Sequence, residues 1–390
     1  MTDRQAILFI APRFPYPPTR GDKLVFLHRL VALSAIYTID LLAFYENDGD
    51  PIDQEYLRKY CRNIILVRQN KLQVVVNVLM ALLGDKPLQC DYYYNRSAIK
   101  KIRALLSSTS YTWVYLGTIR LDSYRDLFEK RTLVLDYIDS MRLNFERRIT
   151  SRKLPNLLDL IEYRRLLKYE RTLSKAIRVG FVVADADKHA LDDAPNIIVV
   201  PNGVTIPDAR VPDKVQNSIV YVGSMFYSPN IQAAHYLAGN ILPRIRAEIP
   251  DVRLFIVGNR PVASIRRLHS DSIIVTGFVE RVFDYIQASW ISICPMLSGS
   301  GIQNKILECM AAGLPVITTT LGKGSIRCDD QTLLVRDRPD DVAALAIRLL
   351  RDSRLRDEIG CAARVFVEKE YSWATNYTAV RNALEKFREG

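Results

Sequence analysis

The densest grouping of residues suited to chemistry is Ser298–Thr319, SGSGIQNKILECMAAGLPVITT, within a chain of 390 residues. Gly299 and Gly301 allow the backbone to come close to a ligand. The helical pattern from about Gln303 to Ala312 then offers unpaired N–H groups and the positive end of a helix dipole. That combination suits a diphosphate. Glu308 falls one to two turns into the helix, where a carboxylate can reach two neighbouring ribose hydroxyls. A Gly-Leu-Pro break and a β-branched strand opening at Val316 follow. Taken alone, the glycine turn reads equally well as a plain strand-to-helix connection.

Two further places carry candidate chemistry. The strand pattern Thr132–Asp139 ends in Asp136 and Asp139, and in open α/β sheets catalytic groups collect at the carboxyl ends of strands. The competing reading is that Asp139-Ser140 only starts the next helix. Near the N-terminus, the turn APRFPYPPTRGDK follows the apolar run Ala6–Ile10. There Gly21, with Arg20 and Lys23, can bring N–H groups and positive charge near a phosphate. A proline-rich loop with solvated charges is the alternative.

These residues must be positioned by an alternation of buried strands and helices that runs twice through the chain. In the first half, strands are predicted at 6–10, 38–44, 63–67, 113–117, 132–139, 179–184 and 197–200, separated by helical segments. Short links of this kind imply right-handed βαβ units and parallel sheets. The polar stretch 207–217 reads as a linker. The rhythm then restarts with strands at 218–222, 252–257, 273–276, 290–295, 316–319 and 333–335. The expected fold is α/β, two Rossmann-like doubly wound domains facing a central cleft. Residues 1–206 form the first domain, 218–370 the second, and a helix at about 371–390 packs back on the first.

Composition narrows the function. Six scattered cysteines, with neither a CxxC pair nor a histidine at metal spacing, argue against a zinc site or a disulfide framework and fit a reducing cytoplasm. Neither the N-terminal run nor Val74–Leu83 is long enough to span a membrane. Leu72–Leu83 is apolar almost all round, which ordinarily marks a core helix. With Tyr92, Tyr93 and Tyr94 behind it, the alternative is a helix resting on lipid. The formal net charge of +11 calls for an anionic partner, and residues 140–178 hold eleven Lys/Arg against four Asp/Glu. Leu157, Leu158, Leu160, Ile161, Leu166, Leu167 and Leu173 supply a buried face there, leaving the opposite face cationic. That face is either solvated or set against an anionic membrane through 141–178. No recognised nucleic-acid module accompanies the charge, so nucleic acid is not expected as a partner.

Several segments together resemble a known family. PNGV at 201–204, YVGSMFYSPN at 221–230, FIVG at 255–258, VTGFV at 275–279 and GIQNKILECMAAGLPVITT at 301–319 look like the retaining nucleotide-sugar glycosyltransferases of family 4, which have the GT-B fold. The PYPP-x-x-GDK loop at 15–23 is similar to that of the bacterial exopolysaccharide-associated subgroup. The resemblance implies that Glu308 binds the donor ribose, that Gly301, Ile302 and Gln303 hold the donor diphosphate, and that Lys305 neutralises it. It implies that Gly277, Phe278 and Val279 lie against the nucleobase, and that Gly21 approaches the diphosphate from the first domain.

There are departures from the family pattern. Ser300 stands where the family has the first glutamate of its E-x7-E signature. Ser224, Met225, Phe226 and Tyr227 follow Gly223 in place of a basic pair, and Asp136 or Asp139 replaces a histidine. The expectation is a cytoplasmic, metal-independent glycosyltransferase. Its nucleoside-diphosphate sugar is a co-substrate, no cofactor is used, and the acceptor is a glycan or lipid-linked. A catalytically inactive GT-B protein that binds a nucleotide sugar or a partner is the rival. A dinucleotide oxidoreductase is disfavoured, because no G-x-G-x-x-G follows the first strand.

Overall fold

A computed structural model describes residues 4–46, 52–150, 156–208, 212–298 and 302–388. The chain forms two units, Met1–Pro201 with Asn376–Gly390, and Asn202–Thr375. The first contains seven parallel strands: β1 (Ala6–Ala11), β2 (Thr38–Tyr45), β3 (Asn63–Arg68), β4 (Tyr111–Gly117), β5 (Leu133–Ile138), β6 (Val179–Val182) and β7 (Ile197–Val199). Their order in the sheet is β3-β2-β1-β4-β5-β6-β7. The second contains β8 (Ser218–Val222), β9 (Arg253–Val257), β10 (Ile273–Gly277), β11 (Ile291–Cys294), β12 (Val316–Thr318) and β13 (Leu334–Val335), ordered β10-β9-β8-β11-β12-β13. Each sheet therefore reverses its strand order once, between β1 and β4 in the first and between β8 and β11 in the second. Both are doubly wound, and ligands in such sheets bind beyond the strand ends at the reversal.

The strand period of two divides the first unit's core between the faces of its sheet. Ile7 and Phe9 pack with Phe26, Leu30 and Leu33 of the helix Gly21–Ser34, while Leu8 and Ile10 pack with Ile102 and Leu166 on the other side. Val380, Ala383 and Leu384 of the helix Trp373–Arg388 join the Phe9 side. Beneath them Arg29 lies in the core. Its Nε donates to Asp136 at 3.0 Å, and its terminal nitrogens donate to Asn376 Oδ1 at 2.6 Å and the Val200 carbonyl at 3.2 Å.

In the described part of the stretch expected as a linker, Val215 N donates to the Ala288 carbonyl, and Lys214 Nζ to that of Ser289. The structure corrects two expectations about burial. The helix Lys71–Leu82 is not a core helix; Leu72, Val75, Leu79 and Met80 are all exposed. Leu157 and Leu158, expected on a buried face, are exposed as well. The helix Leu157–Ala176 turns Leu166, Leu173 and the carboxylates Glu162 and Glu170 inward instead.

Candidate functional site

The second unit gathers its candidate residues at the carboxyl end of its sheet. The helix Asn304–Ala311 follows β11 and has Gln303 at its N-cap position, so it begins one residue after the expected start. Lys305 sits in the first turn, and its ammonium donates to Asn230 Oδ1 and approaches Met296 Sδ at 3.5 Å. The Tyr221 ring lies beside it, 5.7 Å from centroid to Nζ. Glu308, one turn further on, is half-buried. Burial lowers the pKa of Lys305 and raises that of Glu308, and each charge partly offsets the shift of the other. A cation and a carboxylate short of solvation thus share one helix face, as i and i+3 neighbours do. Each gains from a ligand that brings the complementary group.

Glycines allow the neighbouring strand ends to converge. A Cβ on Gly258, just after β9, would lie 1.7 Å from the Gly223 carbonyl oxygen, just after β8. No side chain fits at Gly258. Asn230 fills the space next to Gly223, donating from Nδ2 to the Ser224 carbonyl at 3.0 Å, and so connects this turn to Lys305. Ser224 Oγ donates to Asn259 Oδ1 at 2.7 Å. Gly277 ends β10 at φ 71°, the left-handed region that glycine enters without strain. After it Phe278 is 76% exposed, while Val279 packs on the core.

Of the expected donor residues, Gly277 is the last residue of β10, and Gly223, Ser224, Phe278, Val279, Ile302, Gln303, Lys305 and Glu308 belong to the connections that follow the strands or to the helix Asn304–Ala311. Ser300 and Gly301, with Gly299, lie outside the described residues. Sequence reasoning missed Asn230, Asn259 and Arg260. The signal for Asn230 was weak, because a first-turn asparagine after Ser-Pro reads as ordinary helix initiation. Arg260, whose guanidinium stands 5.7 Å from the Phe226 ring centroid, brings a cation near the turn where the family's basic pair is missing. It arrives from β9 rather than β8, so no local pattern marked it.

The first unit separates the two aspartates. Asp136 is fully buried and its carboxylate accepts from Arg29 Nε, the Tyr115 hydroxyl and the Ile138 amide. Each of these contacts lies in the core of the first unit, which is at odds with the expected catalytic role of Asp136. Ile138 takes φ 63°, a costly left-handed conformation for a β-branched residue. The chain turns there, and Asp139 emerges exposed with Asn144 Nδ2 donating to it at 2.8 Å. The surrounding protein raises its pKa, opposed by that hydrogen bond and by the Arg120 charge.

The helix predicted from Leu24 begins at Gly21, so Gly21, Asp22 and Lys23 form its first turn; Arg20 at the N-cap position makes no side-chain cap, and the Lys23 amide donates to Asp22 Oδ1 at 3.0 Å. A Cβ on Gly21 would meet nothing within 4 Å. Beside this helix start a cavity of about 80 Å³ is lined by Arg13, Arg20, Lys23, Glu46, Gln69 and Tyr93 among others. Tyr93 Oη and Gln69 Oε1 are buried, with no hydrogen-bond partner among the described residues. Arg13 is paired with Asp22 here, while Arg20, the helix start and these buried polar atoms suit a phosphorylated or hydroxylated ligand. Among the described residues no group of three or more His, Cys, Asp or Glu is arranged to hold a metal ion. No helix there is long and apolar enough to cross a membrane.

Residues 216–352, within the second unit, match the family described as Glycosyl transferases group 1. Over 386 residues, covering 94% of this chain and 96% of the relative, the sequence is 23% identical to an uncharacterized 44.6 kDa protein in the cps region of Klebsiella pneumoniae. Over 158 residues, 37% of this chain and 42% of the relative, it is 31% identical to the GDP-mannose-dependent monoacylated alpha-(1-6)-phosphatidylinositol monomannoside mannosyltransferase of Corynebacterium glutamicum. Among solved structures, sucrose-phosphate synthase from Thermosynechococcus elongatus superposes with a TM-score of 0.69 at 16% identity, over 98% of this chain and 99% of that one. The fold is GT-B.

Proposed function

We propose that the protein is a retaining glycosyltransferase that moves a sugar from a nucleoside-diphosphate sugar to a glycan or lipid-linked acceptor in polysaccharide biosynthesis. The observation that carries this reading is the half-buried pair Lys305 and Glu308 at the strand-order reversal of the second sheet, with Asn230 steering the ammonium. As the sugar departs, the nucleoside diphosphate gains negative charge. The Lys305 ammonium and the start of the helix Asn304–Ala311 stabilise that charge without rearranging, so electrostatic preorganisation is the main rate term. Glu308 accepts hydrogen bonds from the ribose hydroxyls, and the exposed Phe278 ring stacks on the base.

Charge compensation from Lys305 and the helix leaves no step that requires a divalent metal, and the nucleotide sugar is a co-substrate rather than a cofactor. Asp139 is the candidate base. The Klebsiella relative's cps region and the Corynebacterium relative's nucleotide-sugar donor and lipid-borne acceptor support this assignment. The reaction is proposed for the cytoplasm, with the cationic segment 141–178 towards an anionic membrane.

A thermal-shift screen against UDP, GDP, ADP and their sugars tests donor binding, because a ligand held only by the folded state raises the melting temperature. One nucleotide series should stabilise the wild type, and Glu308→Ala should abolish the shift and reduce turnover. Product formation should survive chelation and keep the donor's anomeric configuration by NMR. A Glu308→Ala protein with wild-type affinity and turnover overturns the reading. Donor binding without product on any acceptor would instead describe a GT-B protein that holds a nucleotide sugar without transferring it.

A further inference from the structure

The helix Lys71–Leu82 carries its apolar residues on the wrong side for a core element. Leu72, Val75, Val76, Leu79, Met80 and Leu83 repeat at helical spacing as one stripe, and all are at least half exposed, from Val76 at 50% to Leu83 at 85%. Its half-buried side includes the polar Gln73 and Asn77, and Asn77 Nδ2 donates to the Tyr94 carbonyl at 2.8 Å. The helix contains no acidic residue.

This outward face is fixed to its unit. Arg165, from the helix Leu157–Ala176, donates to the carbonyls of Ala81 at 2.8 Å and of Leu82 and Lys86 at 3.0 Å, closing the open C-terminal end of the apolar helix. Arg165's own helix presents Arg164, Lys168, Arg171 and Lys175, all exposed and spaced along one face. Arg171 is partly neutralised by Asp192 at 3.1 Å. A groove of about 780 Å³ beside the apolar helix is lined by Val76, Met80 and Tyr94, with Lys86 and Arg96 balanced on its walls by Asp85 and Asp91, so the excess of cations comes from the neighbouring helix.

We infer that this face of the first unit docks on an anionic bilayer, with the helix Lys71–Leu82 lying in the interface and its stripe in the acyl boundary. A large apolar face bordered by cations is what the headgroup region of such a membrane accepts. A second copy of the chain fits less well, because it would bring two cationic helices together in a protein of net charge +11. The inference rests on the membrane contact proposed above and names the face that makes it, and it is independent of the donor site, which the thermal-shift screen tests separately.

The test is co-sedimentation of the full chain with phosphatidylcholine vesicles, with and without phosphatidylglycerol. Wild type should bind the phosphatidylglycerol vesicles, and added salt should weaken that binding. Leu79→Ser with Met80→Ser should lose about tenfold or more in vesicle affinity. Arg164→Glu with Lys168→Glu should lose the preference for phosphatidylglycerol and the salt dependence. All substituted side chains are surface ones, so melting temperature and the donor-induced thermal shift should match wild type. Wild type remaining in the supernatant with phosphatidylglycerol vesicles would overturn the proposal, as would variants that bind as wild type does. Sedimentation velocity showing a dimer that Leu79→Ser dissolves would assign the stripe to self-association and also overturn it.

Discussion

Asp136 and Asp139 are three positions apart in one strand-end segment, yet their surroundings are opposite. Asp136 meets a guanidinium and a phenol inside the core, so its removal leaves Arg29 charged and underpartnered where water cannot reach. Breaking a buried pair from one side costs about 3–5 kcal/mol. Asp136→Asn should therefore lower the unfolding free energy from urea titration by that margin, while any activity remaining follows the folded fraction. Asp139 is exposed, and the side-chain amide of Asn144, five residues along, donates to it. Asp139→Asn should change stability by less than about 0.5 kcal/mol, but if Asp139 is the base, turnover should fall about 100-fold. Parallel denaturation and turnover measurements separate the two. Equal stability losses, or full activity in Asp139→Asn, would reject the division of roles. Sequence alone left both aspartates open, because nothing local to residues 132–139 reveals that Arg29 lies beneath one of them.

At the scale of elements, the glycine turns shape the candidate donor site. Gly258 touches the Gly223 carbonyl so closely that a methyl group there must push the ends of β8 and β9 apart. Gly258→Ala should cost about 3 kcal/mol or more, and should weaken donor binding through the displaced Asn230 and Lys305. Gly277→Ala is the control: its Cβ would meet nothing within 4 Å, so only the conformational cost of the left-handed backbone applies, about 1–2 kcal/mol. A Gly258→Ala protein no less stable than Gly277→Ala would show that the turns can part freely. Strand identity was legible in the sequence because two-sided burial imposes continuous apolar runs such as Ala6–Ala11 and Ser218–Val222. The helix Asn304–Ala311 was legible from its glycine turn and its Gly-Leu-Pro stop. The helix Lys71–Leu82 was misread because hydrophobicity reports what a surface avoids and not what covers it. Water and lipid remain distinct only when the folded unit shows which way the stripe faces.

For the whole molecule, charge at a few interior sites sets how stability varies with pH. Glu170 is buried where the helix Met141–Thr150 begins, accepting from the Met141 amide at 2.8 Å and the Ser140 hydroxyl at 2.7 Å. Loss of solvation outweighs these bonds and pushes its pKa up to about 7; Asp187, bonded to the Ser140 amide, is pushed to about 6 for the same reason. Each then binds a proton in the folded chain over a range where the unfolded chain has released it. Their contribution is whole below the ordinary carboxyl range and is lost as pH rises towards 6 and 7. His28 acts oppositely. Burial and the neighbouring Arg29 lower its pKa to about 4, so the folded state is disfavoured as pH falls from 6.5 to about 4. With two carboxyls set against one imidazole, the first unit should lose stability between about pH 5 and pH 8. Glu170→Gln keeps the shape and holds the group neutral, and the rotating Ser140 hydroxyl can accept from the new amide. Its urea midpoint should therefore decline less than that of wild type across this range and exceed it at pH 8. A wild-type midpoint flat with pH, or a Glu170→Gln midpoint that tracks it, would mean that the Ser140 and backbone donors carry the carboxylate as well buried as protonated.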